Sequence, residues 1–317
     1  MRIRCTLAAL APLLLLGCSS APKGEVRSFP GVKVPSVVKD PAEARSYLLE
    51  NFWGPFTAIE EGKNLLCDST HVEGVSVEDV ESQVGIFSTL LLEESPSESA
   101  TATGKAFERF SHVQEERPQS NMLEQMTALF SKYLYDPNSP VRNEDAYGEF
   151  ARRLSESPLV DKDLRRSYEF DARMCSLNAT ATPATDFSFT DRWGREHTLY
   201  EVKAPRTLLF FSNPGCSDCA RITRELGSTQ NIKSMIQEGK LALVNVYIDD
   251  DLDAWFSYVG EYPEEWICGY DPAGAIRGER SYNVRAIPSL YLLDENKVVI
   301  LKDAPIERIM KALLSLK

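Results

Sequence analysis

Two cysteines separated by two residues are the side chains in this sequence best suited to chemistry. They stand in the motif Cys216-Ser217-Asp218-Cys219, which follows an apolar run and is expected to open a helix at Ser217. The free amides and the dipole of a helix N-terminus favour an anion, so they stabilise a thiolate there. Cys216 is therefore predicted to be the nucleophile that attacks a disulfide, and Cys219 the thiol that resolves the mixed disulfide.

The two residues between the cysteines are predicted to modulate the pair. Ser217 is neutral, whereas Asp218 places a carboxylate close to the expected thiolate. A like charge disfavours the thiolate, and a less stabilised thiolate favours the disulfide form. We therefore expect a comparatively reducing couple.

Three other interpretations of the cysteine pair stay open. Half of a zinc site would need two further ligands, which Cys67 and His71 could supply from another domain. A peroxidase would need Thr or Ser three residues before its reactive cysteine, where this chain has Asn213. A domain that keeps the fold but only binds partners is the third. We predict no metal site.

A second segment strengthens the redox interpretation. Ile287-Pro288-Ser289 stands directly before an apolar strand. The run over residues 286–294, together with the cysteine pair, resembles thioredoxin-fold proteins, and residues 180–317 are most similar to the TlpA/ResA-type thiol-disulfide oxidoreductases of the bacterial envelope. The resemblance implies a cis-proline at Pro288 that lies against the cysteines and pairs with the substrate strand, with Ile287 shielding the dithiol.

The same resemblance implies an enzyme, its partners and its cofactor requirement. No dissociable cofactor is implied, because the electrons reside in the redox-active disulfide Cys216–Cys219. The implied partners are protein disulfides or thiols as substrates and an electron-donating thiol protein in the membrane or periplasm. Reduction is favoured over oxidation or isomerisation. The chain departs from the family at Asn213-Pro214-Gly215, where a Trp usually precedes the first cysteine. The alternative is a non-catalytic envelope adaptor in which the dithiol is a structural clip.

The elements that position the dithiol alternate between strand and helix. The patterns predict, in order, a hairpin over 186–190 and 197–202, a buried strand over 207–211, a helix from 217, a strand over 241–248, a helix over 252–259, strands over 289–293 and 298–301, and a helix from 306. This order predicts one mixed sheet flanked by helices. We assign residues 173–317 to an α/β thioredoxin-like domain.

Residues 40–172 are predicted to form a separate, mostly α-helical domain. Asp40, Pro41 and Glu43 fit the N-cap, N1 and N3 positions of a helix. Further apolar periodicities predict helices from 76 to about 91 and over 98–113, 121–134, 143–154 and 161–172. The runs 47–53 and 133–140 resemble a helical domain of unknown function that often precedes thioredoxin-like modules in exported proteins of Gram-negative bacteria.

The N-terminus carries the pattern of an export signal. Arg2 and Arg4 precede an apolar run over 7–16, which is shorter than the roughly 20 residues of a spanning helix. Its end, Leu15-Leu16-Gly17-Cys18, resembles the lipobox of bacterial lipoproteins. The resemblance implies a signal peptide over 1–17, lipidation of Cys18, and a lipid-anchored tether over 18–39. An ordinary secretory signal cut near Gly17 or after Ala21 is the alternative.

Composition and charge restrict the partners and the location. A chain of 317 residues suggests two domains, and its net charge of −12 argues against a nucleic-acid partner. An acidic surface is not attracted to anionic lipids, so membrane attachment is expected through the lipid on Cys18. The expected location is the cell envelope, on its periplasmic or surface side. Ser19 stands where Asp would signal retention in the inner membrane, so the outer membrane is favoured.

The remaining cysteines and an acidic triplet admit less specific interpretations. Cys175 and Cys268, both assigned to the C-terminal domain, are interpreted as isolated buried thiols, with a disulfide between them as the alternative. Cys67 is predicted to be a buried thiol of the helical domain. The acidic residues 249–251 are predicted to provide a helix cap, with a calcium site as the alternative. Four aromatic residues are predicted to pack in the core or in a groove, with cofactor binding as the alternative: Trp255, Tyr258, Tyr262 and Trp266.

Overall fold

A computed structural model of the chain describes residues 24–315, which fold into a helical domain followed by an α/β domain. The expected signal peptide and Cys18, the expected lipidation site, lie outside the described residues. Within residues 24–315 there is no helix with the length and apolar character needed to cross a bilayer.

The helical domain begins with a capped helix and continues through five more. Its elements are α1 (Pro41–Asn51), β1 (His71–Val72), β2 (Val75–Ser76), α2 (Val77–Leu91), α3 (Pro96–Glu116), α4 (Met122–Phe130), a π-helical turn (Ser131–Tyr135), α5 (Glu144–Glu156) and α6 (Lys162–Ser176). Asp40 accepts hydrogen bonds from the amides of Ala42 and Glu43, as the cap pattern predicts. The predicted helical domain is therefore confirmed.

Aromatic side chains fill the centre of the helical domain. Trp53 is 2% exposed, and its ring centroid lies 5.4 Å from that of Phe87 and 5.3 Å from that of Phe110. These edge-on contacts join the end of α1 to α2 and α3.

Three features of this domain differ from the sequence-based predictions. The short hairpin β1–β2 was not expected, because two-residue strands carry no periodic signal. The predicted helix over 121–134 changes to π-helical geometry from Ser131 onward. Helix α6 continues to Ser176, so Cys175 packs in the helical core, and its assignment to the C-terminal domain was wrong.

Part of the predicted tether is attached to the helical domain. The amide of Glu25 donates to the carbonyl of Asn64 at 2.7 Å, and the guanidinium of Arg27 donates to the carbonyl of Phe56 at 2.9 Å. The composition of residues 18–39 gives no indication of these contacts, because they are made by backbone groups and by one long side chain.

The α/β domain contains a mixed sheet flanked by helices, as predicted. Its elements are β3 (Ser188–Asp191), β4 (Glu196–Thr198), β5 (Arg206–Phe211), α7 (Ser217–Ser228), α8 (Gln230–Gln237), β6 (Leu241–Tyr247), α9 (Leu252–Tyr258), β7 (Ile267–Tyr270), β8 (Ser289–Asp294), β9 (Val299–Leu301) and α10 (Ile306–Leu314). In the described part of the chain the strand order is β4-β3-β7-β6-β5-β8-β9. Strand β5 is parallel to β6 and antiparallel to β8.

Strand β5 separates two hydrophobic cores, which explains its continuous apolar sequence. Leu208 and Phe210 belong to the core that contains α7 and α10, whereas Leu209 and Phe211 belong to the core on the opposite face. Both faces of a strand with parallel and antiparallel neighbours are thus covered. A short loop over residues 212–215 connects this strand to the cysteine motif.

The differences within the α/β domain lie in its short elements. The return strand predicted over 197–202 ends at Thr198 and continues as a 3-10 turn, Leu199–Glu201. Strand β7 was not predicted, because its four residues include Gly269. A Cβ at that position would lie 2.6 Å from the side chain of Phe189 and 2.6 Å from the carbonyl oxygen of Thr190. Glycine therefore permits the close pairing of β7 with β3.

The four aromatic residues singled out from the sequence near α9 pack in or against the core, as predicted. Trp255 and Trp266 are fully buried, Tyr262 is buried, and Tyr258 packs partly against the same core as α7.

Candidate active site

The cysteine pair lies at the N-terminus of α7, after the short loop that follows β5. Cys216 and Cys219 form a disulfide with Cα atoms 5.2 Å apart, within the range normal for such bonds. Cys219 is 2% exposed and packs in the core, whereas Cys216 is half-buried. A reacting partner can therefore reach Cys216 and not Cys219.

Cys216 is the N-cap residue of α7. Its Sγ accepts a hydrogen bond of 3.1 Å from the amide of Cys219. Backbone amides at a helix N-terminus are donors that stabilise negative charge, so the same position favours a thiolate when the disulfide is reduced.

The charge of Asp218 has only a weak effect on the stability of a thiolate at Cys216. Its side chain is 68% exposed, and its carboxylate lies 3.4 Å from Nε of Arg221 on the next turn of α7. Water and the neighbouring guanidinium both screen the carboxylate. The reducing effect expected of Asp218 is therefore smaller than its place in the motif suggests. Ser217 is exposed at the first turn of the same helix.

The loop before Cys216 is held by an acidic residue in the loop that follows the neighbouring strand β6. Asn213 donates a side-chain hydrogen bond to Asp249, which also pairs with Arg277. Gly215 has a φ of 76°, a conformation that glycine adopts without strain. Asp251, from the same acidic triplet as Asp249, accepts from the amide of Ala254 and caps α9, which confirms the predicted cap.

The proline segment lies beside the dithiol. The Ile287–Pro288 peptide bond is cis, and the carbonyl oxygen of Ile287 is 3.9 Å from Sγ of Cys216. The side chain of Ile287 packs against the cores on both faces of the sheet. The structure thus brings the pair Cys216 and Cys219 next to the pair Ile287 and Pro288. The two pairs are more than sixty positions apart in the sequence.

A cleft of about 210 Å³ opens next to these residues, and both domains line it. The α/β domain contributes Asp218 and Arg221 from α7, the Ile287–Pro288 segment, and the start of α10. The helical domain contributes a loop with Asn138, Pro140 and Arg142. We call residues 136–142 the cleft loop.

Sequence comparisons identify both domains. Residues 18–176 match the family described as "Domain of unknown function (DUF5106)", and residues 197–302 match the family described as "Thioredoxin-like domain". The chain belongs to the DUF5106 family and carries a thioredoxin-like domain at its C-terminus. No curated protein matches the chain.

One solved structure matches most of the chain, and others match less than half of it. A thioredoxin-like protein from Bacteroides caccae ATCC 43185 is 28% identical with a TM-score of 0.78, and the match covers 92% of this chain and 100% of that one. The C-terminal domain of an uncharacterized protein from Bacteroides fragilis NCTC 9343 is 38% identical with a TM-score of 0.43, covering 44% and 100% of the two chains. The thioredoxin domain of a thiol-disulfide oxidoreductase from Bacteroides vulgatus is 20% identical with a TM-score of 0.38, covering 43% and 98%.

A buried ionic cluster joins the DUF5106 domain to the thioredoxin-like domain. Glu144 of α5 lies 2.9 Å from Nε of Arg285 and 2.9 Å from Nζ of Lys302. Asp303 lies 3.2 Å from Arg285 and 3.4 Å from Arg142 of the cleft loop. Burial, offset in part by the two guanidinium groups, raises the pKa of Asp303 to about 6. No local motif marks these residues, so the sequence did not reveal them.

The other described cysteines are poor nucleophiles. Cys67, Cys175 and Cys268 form no disulfide within residues 24–315. Burial raises the pKa of Cys268 to about 11 and also raises that of Cys175, so both remain protonated at neutral pH. Both are isolated buried thiols, as predicted. Cys67 is only half-buried, unlike the prediction, and its thiol contacts Glu73.

Metal ligation finds no support among residues 24–315, where no three His, Cys, Asp or Glu side chains converge. His71, the ligand considered together with Cys67 for a zinc site, instead contacts the hydroxyl of Thr70 at 2.8 Å.

Proposed function

We propose that the protein is a thiol-disulfide oxidoreductase of the cell envelope that reduces protein disulfides with the Cys216–Cys219 pair. The observation that carries this proposal is the position of Cys216. Its sulfur caps α7, accepts the amide of Cys219 at 3.1 Å, and lies 3.9 Å from the carbonyl of Ile287 beside Pro288. The thioredoxin-like family match over 197–302 supports the same chemistry.

The proposed reaction is a two-step thiol-disulfide exchange. The thiolate of Cys216 attacks one sulfur of the substrate disulfide; a bond forms between the two sulfurs, and the substrate S–S bond breaks, with its second sulfur leaving as a thiolate that takes a proton. Cys219 then loses its proton and attacks Sγ of Cys216, which releases the other substrate sulfur as a thiol. Two electrons pass to the substrate, and the cysteine pair is left as the disulfide.

The same exchange in reverse regenerates the dithiol. An electron-donating thiol protein would attack the disulfide, and Cys216 is the sulfur it can reach, because Cys219 is 2% exposed. No dissociable cofactor is required. Pro288 and Ile287 would bind the substrate segment next to the sulfur, and Ser217 and Asp218 would modulate the couple.

We further propose that the protein is anchored in the envelope by a lipid on Cys18, with the outer membrane favoured. The lipobox-like sequence that ends at Cys18 and the serine at position 19 support this location. Labelled fatty acid should be incorporated into the wild type and not into Cys18→Ala. Equal labelling of both proteins would rule out this anchor.

The test of the enzymatic proposal is reduction of insulin by the purified chain with dithiothreitol as the electron source. Wild type should accelerate the reaction, and Cys216→Ser should abolish the acceleration. Cys219→Ser should retain the first step and accumulate a mixed disulfide through Cys216, detectable by mass. If the wild type gives no acceleration and Cys219→Ser traps no partner, the chain is the non-catalytic adaptor instead.

The equilibrium potential of the pair decides the direction of the reaction. A value near or below that of thioredoxin, about −270 mV, supports a reductase. A value near −120 mV, as in strong oxidants, would instead assign the protein to disulfide formation.

A further inference from the structure

We propose that the cleft loop of the DUF5106 domain is a wall of the substrate-binding site and selects the polypeptide segment that carries the target disulfide. This inference rests on the proposed oxidoreductase function. It assigns a role in substrate recognition to a domain that contributes no cysteine to the reaction.

The first support is the position of the cleft. Ile287 and Pro288 line it, and the carbonyl of Ile287 lies 3.9 Å from the reactive sulfur of Cys216. Asn138 and Pro140 of the cleft loop line the same space from the other domain. A segment bound across the proline toward Cys216 would therefore extend between the two domains.

The second support is that the cleft loop is held in one conformation. Asp136 accepts hydrogen bonds from the amide of Asn138 through its carboxylate at 2.8 Å and from the amide of Ser139 through its carbonyl at 2.9 Å. The hydroxyl of Ser139 donates to the carbonyl of Tyr133 at 2.6 Å. Prolines at 137 and 140 restrict the backbone further. A wall ordered before binding loses little conformational entropy when a ligand binds.

The third support is a direct connection between the wall and the proline segment. Nε of Arg142 donates to the carbonyl of Asp303 at 2.6 Å. The carboxylate of Asp303 accepts from the hydroxyl of Ser289, the residue after Pro288, at 2.7 Å. One buried residue therefore fixes the distance between the cleft loop and the segment that would pair with the substrate.

The size and chemistry of the cleft indicate its occupant. Its volume of about 210 Å³ is below the roughly 300 Å³ at which small-molecule sites begin, so it suits one or two side chains of a bound polypeptide. Its lining combines apolar surface, from Ile222 and Leu290, with charges of both signs, from Arg221 and Glu307. A small disulfide needs only the exposed side of Cys216, so it would react without entering the cleft.

Asn138→Trp tests this inference in the full mature chain. Asn138 is exposed, and within the described residues its side chain makes no hydrogen bond, so the indole should narrow the cleft without disturbing the fold. We expect kcat/KM for insulin to fall about tenfold or more, as misplacement at a reacting centre can cause. The rate with the small aromatic disulfide 5,5'-dithiobis(2-nitrobenzoate) should not change.

The matched control is Asn64→Trp, the same substitution at an exposed position of the DUF5106 domain that does not line the cleft. It should leave both rates at their wild-type values. If Asn138→Trp lowers the rates with both insulin and the small aromatic disulfide, the smaller substitution Asn138→Lys is measured next. An equal loss of rate with both disulfides in Asn138→Lys overturns the inference.

The outcomes separate the two proposals. Unchanged insulin reduction by Asn138→Trp, or an equal loss in Asn64→Trp, overturns the role of the cleft loop and leaves the oxidoreductase function standing. Failure of the wild type to reduce either disulfide overturns the proposed function, and the inference falls with it.

Discussion

The hydroxyl of Ser289 donates a hydrogen bond of 2.7 Å to the carboxylate of Asp303, a buried residue that also contacts the DUF5106 domain. Ser289 directly follows the cis-proline, and Asp303 lies in the turn between β9 and α10. The segment beside the dithiol and the interface between the domains thus share one carboxylate. Changes in the charge of Asp303 should therefore be detectable in the stability of the whole chain.

Asp303→Asn should be less stable than the wild type at acidic pH, and the loss should grow as the pH falls. The folded-state pKa of Asp303, about 6, is above the ordinary value of 3.8, so between these values the folded state binds more protons than the unfolded state. The wild type therefore gains stability from this group as pH falls from 7 toward 4.5, and asparagine cannot. The measurement is urea unfolding of both proteins at pH 7 and pH 4.5.

The size of the loss at pH 7 is a separate expectation. At pH 7 the loss should be small, because the amide oxygen of asparagine can still accept from Ser289, and losing the carboxylate that Arg142 and Arg285 share is offset by removing a buried charge that the folded state disfavours. A loss that is equal at both pH values, or larger at pH 7, would contradict the raised pKa.

Arg285→Ala should weaken the cooperation between the two domains. Arg285 lies 2.9 Å from Glu144, and its guanidinium lies 4.1 Å from the ring centroid of Tyr135. Its two acidic partners, Glu144 and Asp303, are both buried. Removing one member of a buried ion pair typically costs about 3 kcal/mol or more, because the remaining charge is left without its partner. Calorimetry should show a lower Tm and two resolved transitions.

Arg152→Ala is the control for this prediction. Arg152 pairs with Glu149 and Glu156 on the exposed face of α5, with 44% of its side chain accessible. Such surface pairs contribute about 0–1 kcal/mol, so unfolding should remain a single transition near the wild-type Tm. Equal effects of the two substitutions would show that the interface cluster has no special role.

The sequence predicted the elements whose signals are local. Strand β5 was found because both of its faces are apolar, and α1 because Asp40 and Pro41 are a strong helix start. The cysteine motif was found because its spacing is itself the signal. These features depend on neighbours within one turn or one strand, which a single sequence contains.

The features that escaped prediction depend on distant partners. Glu144 and Arg285 are 141 positions apart, and Arg142 and Asp303 are 161 apart, so no window of sequence contains both members of either pair. A single sequence shows many charged residues, most of them solvated, and gives no sign of which are buried together. The cleft between the domains was out of reach for the same reason.

Gly269→Ala should destabilise the thioredoxin-like domain by about 1–3 kcal/mol. A Cβ at Gly269 would meet the ring of Phe189 and the backbone of Thr190, both at 2.6 Å, and the backbone cannot move without breaking the pairing of β3 with β7. Gly260→Ala is the control, because nothing lies within 4 Å of the Cβ it would add. Urea unfolding should show a lower midpoint for Gly269→Ala alone; matching midpoints would mean that β3 moves aside.

Asp218→Ala and Arg221→Gln should shift the potential of the dithiol in opposite directions. Removing the carboxylate at 218 stabilises the thiolate, hence the reduced form, and makes the potential less negative. Removing the guanidinium of Arg221, which lies 3.4 Å from the carboxylate of Asp218, leaves that negative charge less screened. The thiolate is then less stable, and the potential becomes more negative. An exposed charge contributes about 0.2–1 kcal/mol, which corresponds to roughly 5–20 mV for a two-electron couple.

Equilibration with glutathione at low and high salt measures both shifts. Because Asp218 is 68% exposed, the two shifts should shrink as added salt screens its charge. Shifts of the same sign in both variants would mean that the substitutions act through the geometry of α7 instead of through charge. In that case the hydrogen bond from the amide of Cys219 to Cys216 would set the potential, and Asp218 would lose its modulating role.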